Sequence, residues 1–311
     1  QDRVWITRLK IFLGMGVFST HQAFDCPLFS CMLWMERLEK GRRRMKIACI
    51  QMNVRAGRPD LNFSRVRALI PRAAKRKPDV ILLPELWNTG FAPKKIDPSM
   101  ADVDGARTKA EIGKLARERR VNIVAGSVLT QKGGALYNTA YVFDRAGDCI
   151  AEYDKTHLFS PSGEGEAYAA GDRIVTFPLD GVPCGVMICY DLRFGELSRA
   201  LALSGAKALF IPAEWRRVAT EQMRALLRAR AIEEQVFAAL CNGCGEASGT
   251  TFGGMSAIVD PMGKALARAG RTEQIITAEI DFAAQEKVRQ DLPVFLDRRP
   301  ELYYGLLKTN I

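Results

Sequence analysis

The chain has 311 residues, 48% of them apolar and 26% charged, with 26 Gly and 14 Pro; this is the mixture of an ordinary globular protein and excludes collagenous and low-complexity classes. The net charge of +10 is partly local, because residues 1–44 hold eight Lys/Arg against four Asp/Glu, and the remainder has no basic stripe interleaved with aromatics, so no nucleic-acid partner is expected. Eight Cys over this length are no disulfide framework but read as reduced, buried thiols of a cytoplasmic protein, and two His disfavour a His-rich metal centre.

Residues 1–44 read apart from the rest. Their one apolar stretch, Ile11–Phe18, is flanked by Arg8 and Lys10, is far short of the ~20 residues of a membrane span, and is followed by no close small-residue cleavage site. The basic run Arg42–Arg44 then precedes Met45. We read Met45 as the natural start, 1–44 as a non-native or disordered extension, and 45–311 as one domain with no further candidate for a membrane segment.

From Met45 onward, short apolar runs alternate with amphipathic stretches. Lys46–Met52 is a strand. Asp60 is placed to cap a helix to about Lys77, with Leu61, Val66, Leu69 and Ile70 on its apolar side and a kink expected at Pro71. Val80–Leu83 is a buried strand, Thr108–Arg120 a helix with Ile112, Leu115 and Ala116 inward, and Val121–Val128 and Tyr137–Phe143 are strands. Arg145-Ala-Gly147 turns into Cys149–Tyr153 as a hairpin. Ile174–Phe177 and Val182–Cys189 are strands, Phe194–Ser204 is a helix stopped by Gly205, Ala208–Ile211 is a strand, and Thr220–Gln235 is a long helix. Phe237–Cys241, Met255–Val259 and Ile275–Ile280 close the set. Alternation early and hairpin-like pairs later imply mixed sheets covered by helices, an α/β layered sandwich.

Four places carry chemistry-bearing side chains at strand ends, where α/β proteins place their sites. They are Glu85 in Leu83-Pro84-Glu85-Leu86-Trp87, Lys155 in Tyr153-Asp154-Lys155-Thr156-His157, Cys189 in Ile188-Cys189-Tyr190-Asp191, and Glu164 in a Gly-rich loop. Each has a bland alternative: a solvated acid, a surface cation, an inert core thiol. Together they are the parts of a thiol amidase: nucleophile, base, cation for the oxyanion and a second acid.

With these motifs the chain resembles the carbon–nitrogen hydrolase, or nitrilase, superfamily over about residues 45–304. PELWNTGF supplies Glu85, YDKTHLF Lys155 and ICYDLRF Cys189, 70 and 34 residues apart, and Glu164 falls where members carry an additional active-site Glu. Tyr137-Asn138, RARAIEEQ at 228–235, GMSAIVDPMG at 254–263 and LPVFLDRRPELY at 292–303 match as well. The wording around Glu85, Lys155 and PAEW most resembles the omega-amidase branch, which acts on 2-oxoglutaramate and 2-oxosuccinamate. Gly195, Glu234 and Gln222-Met223 depart from the usual pattern near segments expected to shape the pocket.

The resemblance implies an αββα sandwich, a homodimer, no cofactor or metal, and a small-molecule amide as substrate. Glu85 would accept the Cys189 proton, and Lys155 with the Tyr190 backbone N–H would hold the oxyanion. Glu164 would assist, and Arg193 and Trp215 would meet the substrate, with Arg216 next in line. An ion pair of Arg193 with Asp191 or Glu196, and plain packing of Trp215, are the competing structural readings. As a strand-end charge, Lys155 is expected to cost less in stability than in catalysis when it is replaced. Within the superfamily an N-carbamoyl amidohydrolase, another aliphatic amidase or a nitrilase are the alternatives. Outside it stand a Cys–His hydrolase using His157, a metal or redox role for Cys241-Asn-Gly-Cys244, and a catalytically silent interaction protein.

Overall fold

The computed structural model describes residues 44–92, 95, 97–303 and 305, so the expectations for residues 1–43 lie outside the described residues. The sandwich follows from which face of each strand is apolar. In β1 (Arg44–Gln51), Met45, Ile47 and Cys49 point one way and Ala48 and Ile50 the other, the period of two of a strand, and both faces are buried. The first set joins a core between two sheets; the second packs on helices with Phe63, Val66, Ile112 and Leu115. These helices are α1 (Pro59–Ala74) and α2 (Ala106–Arg119).

The larger sheet adds β2 (Val80–Leu82), β3 (Asp102–Val103), β4 (Asn122–Val124), β5 (Val128–Lys132), β6 (Ala135–Phe143), β7 (Cys149–Asp154) and the late strand β16 (Gln274–Asp281). Its order is β16-β1-β2-β4-β6-β5-β3, with β7 paired to β6. The second sheet contains β8 (Thr176–Leu179), β9 (Val182–Val186), β10 (Ala208–Ala213), β11 (Phe237–Asn242), β14 (Ala257–Val259) and β15 (Ala265–Arg268), in the order β15-β14-β11-β10-β9-β8. Helices α4 (Gly195–Leu203) and α5 (Thr220–Glu233) bury Leu197, Leu201, Met223 and Leu227 against it. The order helix, sheet, sheet, helix is the expected αββα sandwich. Among the described residues no helix is long and apolar enough to cross a membrane.

Several local expectations are corrected. Asp60 lies inside the first turn of α1, Pro59 occupies the helix start, and the preceding Arg58 makes no side-chain cap. The helix runs three residues past Pro71, and Leu61 is exposed rather than inward. The run Val121–Val128 is two strands, because Ala125-Gly126-Ser127 leaves the sheet. Gly126 has φ +53°, and a Cβ there would lie 2.0 Å from the Pro84 carbonyl oxygen. Two short β strands, β12 (Cys244–Ala247) and β13 (Thr250–Gly253), pair with each other, and α6 (Phe282–Asp291) follows β16; neither pattern stood out in the sequence. The strand expected to reach Cys189 ends at Val186, and Cys189 opens a 3₁₀ turn, Cys189–Arg193.

Gly126 thereby braces the loop that carries Glu85. Gly126→Ala adds a left-handed non-glycine residue and a collision with Pro84, and should cost about 2–4 kcal/mol. A lowered melting temperature accompanied by loss of activity in the still-folded fraction would show that the collision is relayed to Glu85; an unchanged melt would refute the contact.

Candidate active site

The four expected side chains meet where strands of the two sheets end. Glu85 follows β2 and its N–H reaches the Ala213 carbonyl at the end of β10, a link between the sheets. The loop behind it is pinned: Leu86 N–H donates to Ser127 Oγ at 3.0 Å, Trp87 Nε1 to the Ala125 carbonyl at 2.8 Å, and Asn88 Oδ1 accepts from Leu129 N–H at 2.9 Å. Lys155 follows β7, its N–H on the Asn138 carbonyl and its own carbonyl accepting from Gly171. Glu164 opens the single helical turn α3 (Glu164–Ala167) and takes the Phe159 N–H at 2.6 Å.

These three side chains are fully buried. Lys155 Nζ donates to Glu85 Oε1 at 2.8 Å and to the Glu164 oxygens at 3.0 and 2.9 Å. Asn138 Nδ2 donates to the same Glu85 oxygen at 2.9 Å and to Glu164 Oε1 at 3.0 Å. Asn138 is a member of the site that the motif reading matched without giving it a task; its cue was an amide at a strand position otherwise flanked by apolar residues. Glu85 Oε2 has no nitrogen or hydroxyl donor among the described residues, and the Cys189 thiol is the group that interacts with this carboxylate.

Burial raises the Glu85 pKa, and the neighbouring Lys155 only partly offsets it. Burial alone would lower that of Lys155, but Glu85 and Glu164 reverse the effect and hold it raised as an ammonium. Burial and the adjacent Glu85 lift Cys189 well above an ordinary thiol, while Lys155 and the Glu214 N–H act the other way. Burial thus favours a neutral thiol on Cys189, beside a carboxyl that is itself raised and shares the Lys155 ammonium with Glu164.

The thiol is presented by strained backbone. Cys189 has φ +49°, a left-handed conformation that a non-glycine residue keeps only when its surroundings fix it. They do so through Asp191, which is buried and takes Ile188 N–H at 2.8 Å, Tyr153 OH at 2.7 Å, His157 N–H at 3.0 Å and His157 Nδ1 at 2.8 Å. Arg230 donates to the Leu192 and Arg193 carbonyls, and Trp215 Nε1 to the Cys189 carbonyl at 3.3 Å. The His157 ring is engaged by Asp191 and stacked on Phe194 at 3.7 Å, a scaffold position.

A cavity of about 60 Å³ opens on Cys189 and is lined by Phe91, Phe159, Tyr190, Arg193, Trp215 and Arg216, with Glu214 and Ala219. Arg193 forms no ion pair with Asp191 or Glu196: Asp191 is committed to the groups above, and Arg193 instead lies 4.6 Å over the Trp215 ring and donates to Gln222 Oε1 at 2.8 Å. Gln222, a departure from the family pattern, thus holds the arginine of the pocket. Gly195, another departure, would bring a Cβ within 3.1 Å of Arg230. Cys241 is the penultimate residue of β11 and Cys244 opens β12; among the described residues no three His, Cys, Asp or Glu are grouped as a metal would require.

A two-sheet sandwich with a buried acid–cation–thiol cluster at its strand ends defines an amide-type hydrolase, and comparison with known proteins agrees. The sequence profile described as carbon-nitrogen hydrolase matches residues 46–290, and the chain belongs to that family, a hydrolase of non-peptide carbon–nitrogen bonds in small-molecule amides. It is 42% identical to the 2-oxoglutaramate amidase of Bacillus subtilis (strain 168) over 257 residues, 83% of this chain and 98% of that one. It is 30% identical to the omega-amidase NIT2 of Homo sapiens over 267 residues, 83% and 96% of the two chains, which places it with the omega-amidase branch. Among solved structures it resembles, with a TM-score of 0.75 and 26% identity over 86% of this chain and 97% of the other, an amidase variant from Nesterenkonia sp. AN1 bearing the acetamide moiety of fluoroacetamide covalently at its active-site cysteine.

Lys155, read from the sequence as a strand-end charge away from the core, is fully buried. It is enclosed between two buried carboxylates, and removing one partner of such a set leaves charge uncompensated. Lys155→Met should cost about 3–5 kcal/mol, read as a fall in denaturation midpoint. The loss should shrink when Glu164→Gln is added, since one stranded carboxylate is then removed; a single variant as stable as the parent would show that the cluster is not ionised.

Proposed function

We propose that the protein hydrolyses the terminal carboxamide of a 2-oxo dicarboxylic acid monoamide, 2-oxoglutaramate or 2-oxosuccinamate, through a thioester on Cys189. The observation that carries the chemistry is the division of labour on Glu85: Oε1 is taken by Lys155 and Asn138, and Oε2 has no partner among the described residues on a carboxylate that interacts with the thiol. Glu85 Oε2 takes the thiol proton as sulfur attacks the amide carbon. Charge moves to the carbonyl oxygen, held by the Tyr190 N–H and by the Lys155 ammonium, which turns one of the N–H groups it shares between the two Glu164 oxygens toward it. Glu85 returns its proton to nitrogen, the C–N bond breaks, and ammonia leaves. Water then enters, gives a proton to Glu85, and opens the thioester, restoring the thiol and releasing the acid. Glu164 keeps Lys155 charged and in place through the cycle.

The substrate's far end is read at the mouth. Among the described residues Arg193 makes no ion pair with a carboxylate; it lies over the Trp215 ring and donates to Gln222, and Arg216 lines the same cavity. A guanidinium without an acidic partner suits a substrate carboxylate. The names of the relatives supply the 2-oxo acid. The same reading has two copies of the chain pairing as a homodimer.

Cys189→Ala should abolish turnover with a parental melt, and iodoacetamide should label Cys189 ahead of Cys184 or Cys244; retained turnover would end the mechanism. The acid limb of the kcat/KM profile should reflect Glu85 and lie above the ordinary carboxylate value of 4.5, because burial raises the pKa and the rate falls as Glu85 becomes protonated. His157→Asn should leave that limb in place, and its disappearance would revive the Cys–His mechanism. For the substrate, ammonia release from 2-oxoglutaramate, succinamate, glutamine, N-carbamoyl amino acids and a simple nitrile should be fastest by kcat/KM with the 2-oxo amide. Preference for another member of the panel would replace that assignment.

A further inference from the structure

One carboxyl in the pocket wall has no task in this mechanism. Glu214 follows the last residue of β10 and lines the same cavity as Cys189. Its side chain lies against Gly243, where a Cβ would fall 1.9 Å from Oε1, so the glycine is what makes room for the carboxyl. Glu214 is only 4% exposed, and neither oxygen has a hydrogen-bond partner among the described residues. Native folds leave few buried polar groups in this condition, and such a group in a pocket points to a missing ligand. Its position is rigid: Asn242 clamps the next residue from both sides, accepting the Trp215 N–H at 2.7 Å and donating to its carbonyl at 3.3 Å.

Glu214 shares the cavity wall with Cys189 and its carboxyl is close enough to that of Glu85, the proposed base, for the two to repel, so it is assigned to the reacting end of a substrate rather than to the end at Arg193. Of the three groups on the reacting carbon, the oxygen faces Lys155 and the Tyr190 N–H, and the chain leaves through the mouth. The nitrogen, with two N–H donors, remains to be received. We propose that Glu214 is a substrate-positioning residue whose carboxyl oxygen accepts an N–H of the carboxamide, selecting unsubstituted primary amides over esters of the same acid. Burial and the nearby Glu85 raise its pKa well above that of an ordinary carboxyl, which favours the neutral acid, whose carbonyl oxygen is still an acceptor. The proposal rests on the Cys189 thioester reading but is independent of what the substrate carries at its far end.

The test compares a primary amide with the methyl ester of the same acyl group, which pass through one shared acyl-enzyme. Single-turnover acylation by each, and deacylation, are measured for the parent, Glu214→Leu and Glu214→Gln, normalised to titrated thiol and accompanied by a melt. The leucine variant should lose about 10–100-fold in amide acylation. Ester acylation and deacylation should change less than about threefold, since neither involves the leaving nitrogen. The glutamine variant, which keeps volume and acceptor, should retain the parental amide-to-ester ratio within about threefold. Should the leucine variant not fold, Glu214→Asp, which withdraws the carboxyl by one methylene, gives the same amide-selective loss. Equal losses on amide and ester, a slowed shared deacylation, or undiminished amide acylation would each overturn the assignment. Turnover of succinamate but not of a 2-oxo amide would fail the far-end reading alone, and the succinamate pair would still decide Glu214.

Discussion

A single ammonium, Lys155, enclosed with two carboxylates beyond the reach of water, is the constraint around which the site is organised. Isolated charges are too costly to bury, so the arrangement persists only because the three groups compensate one another and Asn138 adds a neutral donor to both acids. That requirement fixes the ends of β2, β6 and β7 relative to one another. It also leaves one carboxylate oxygen of Glu85 without a partner among the described residues, the oxygen that the proposed mechanism gives to the thiol. Structural pairing and catalytic readiness thus arise from the same contacts.

Asp191 performs a comparable task for the nucleophile. It gathers donors from the end of β7, from the two residues after Lys155 and from the turn of Cys189 itself. The lysine and the cysteine, carried on different sheets, are therefore positioned by one side chain that takes no part in the proposed bond making. His157 belongs to this support, which explains how a family with an acid–lysine–thiol site can hold a histidine close by without making it the base.

Much of this was legible in the sequence because the site lies on strand ends, and strands announce themselves by apolar runs that stop at polar residues. Glu85, Lys155 and Cys189 each follow such a run. What stayed hidden depended on contacts across the chain. The break at Gly126 is invisible in a continuous apolar stretch, since only the approach of Pro84 demands it. The importance of Lys155 to stability could not be read locally, because its partners are 70 and nine residues away. Arg193 was weighed against the acids nearest in sequence, whereas its anchor, Gln222, sits on α5. Glu214 was quoted within PAEW, but nothing in that tetrapeptide shows that its oxygens go unpaired.

The link from Glu85 N–H to the Ala213 carbonyl, together with the Asp191 node, means that the acid–lysine half of the site belongs to one sheet and the thiol to the other. Neither sheet by itself brings Cys189 together with Glu85. During synthesis the first sheet lacks its edge strand β16 until nearly the whole domain has emerged, because that strand pairs with β1 from the far end of the sequence. A reactive cysteine is a hazard in a half-folded chain, open to oxidation and stray acylation. In the proposed mechanism Cys189 acquires its base, Glu85, only when the sandwich closes, so the chain would mature chemically and structurally in the same step.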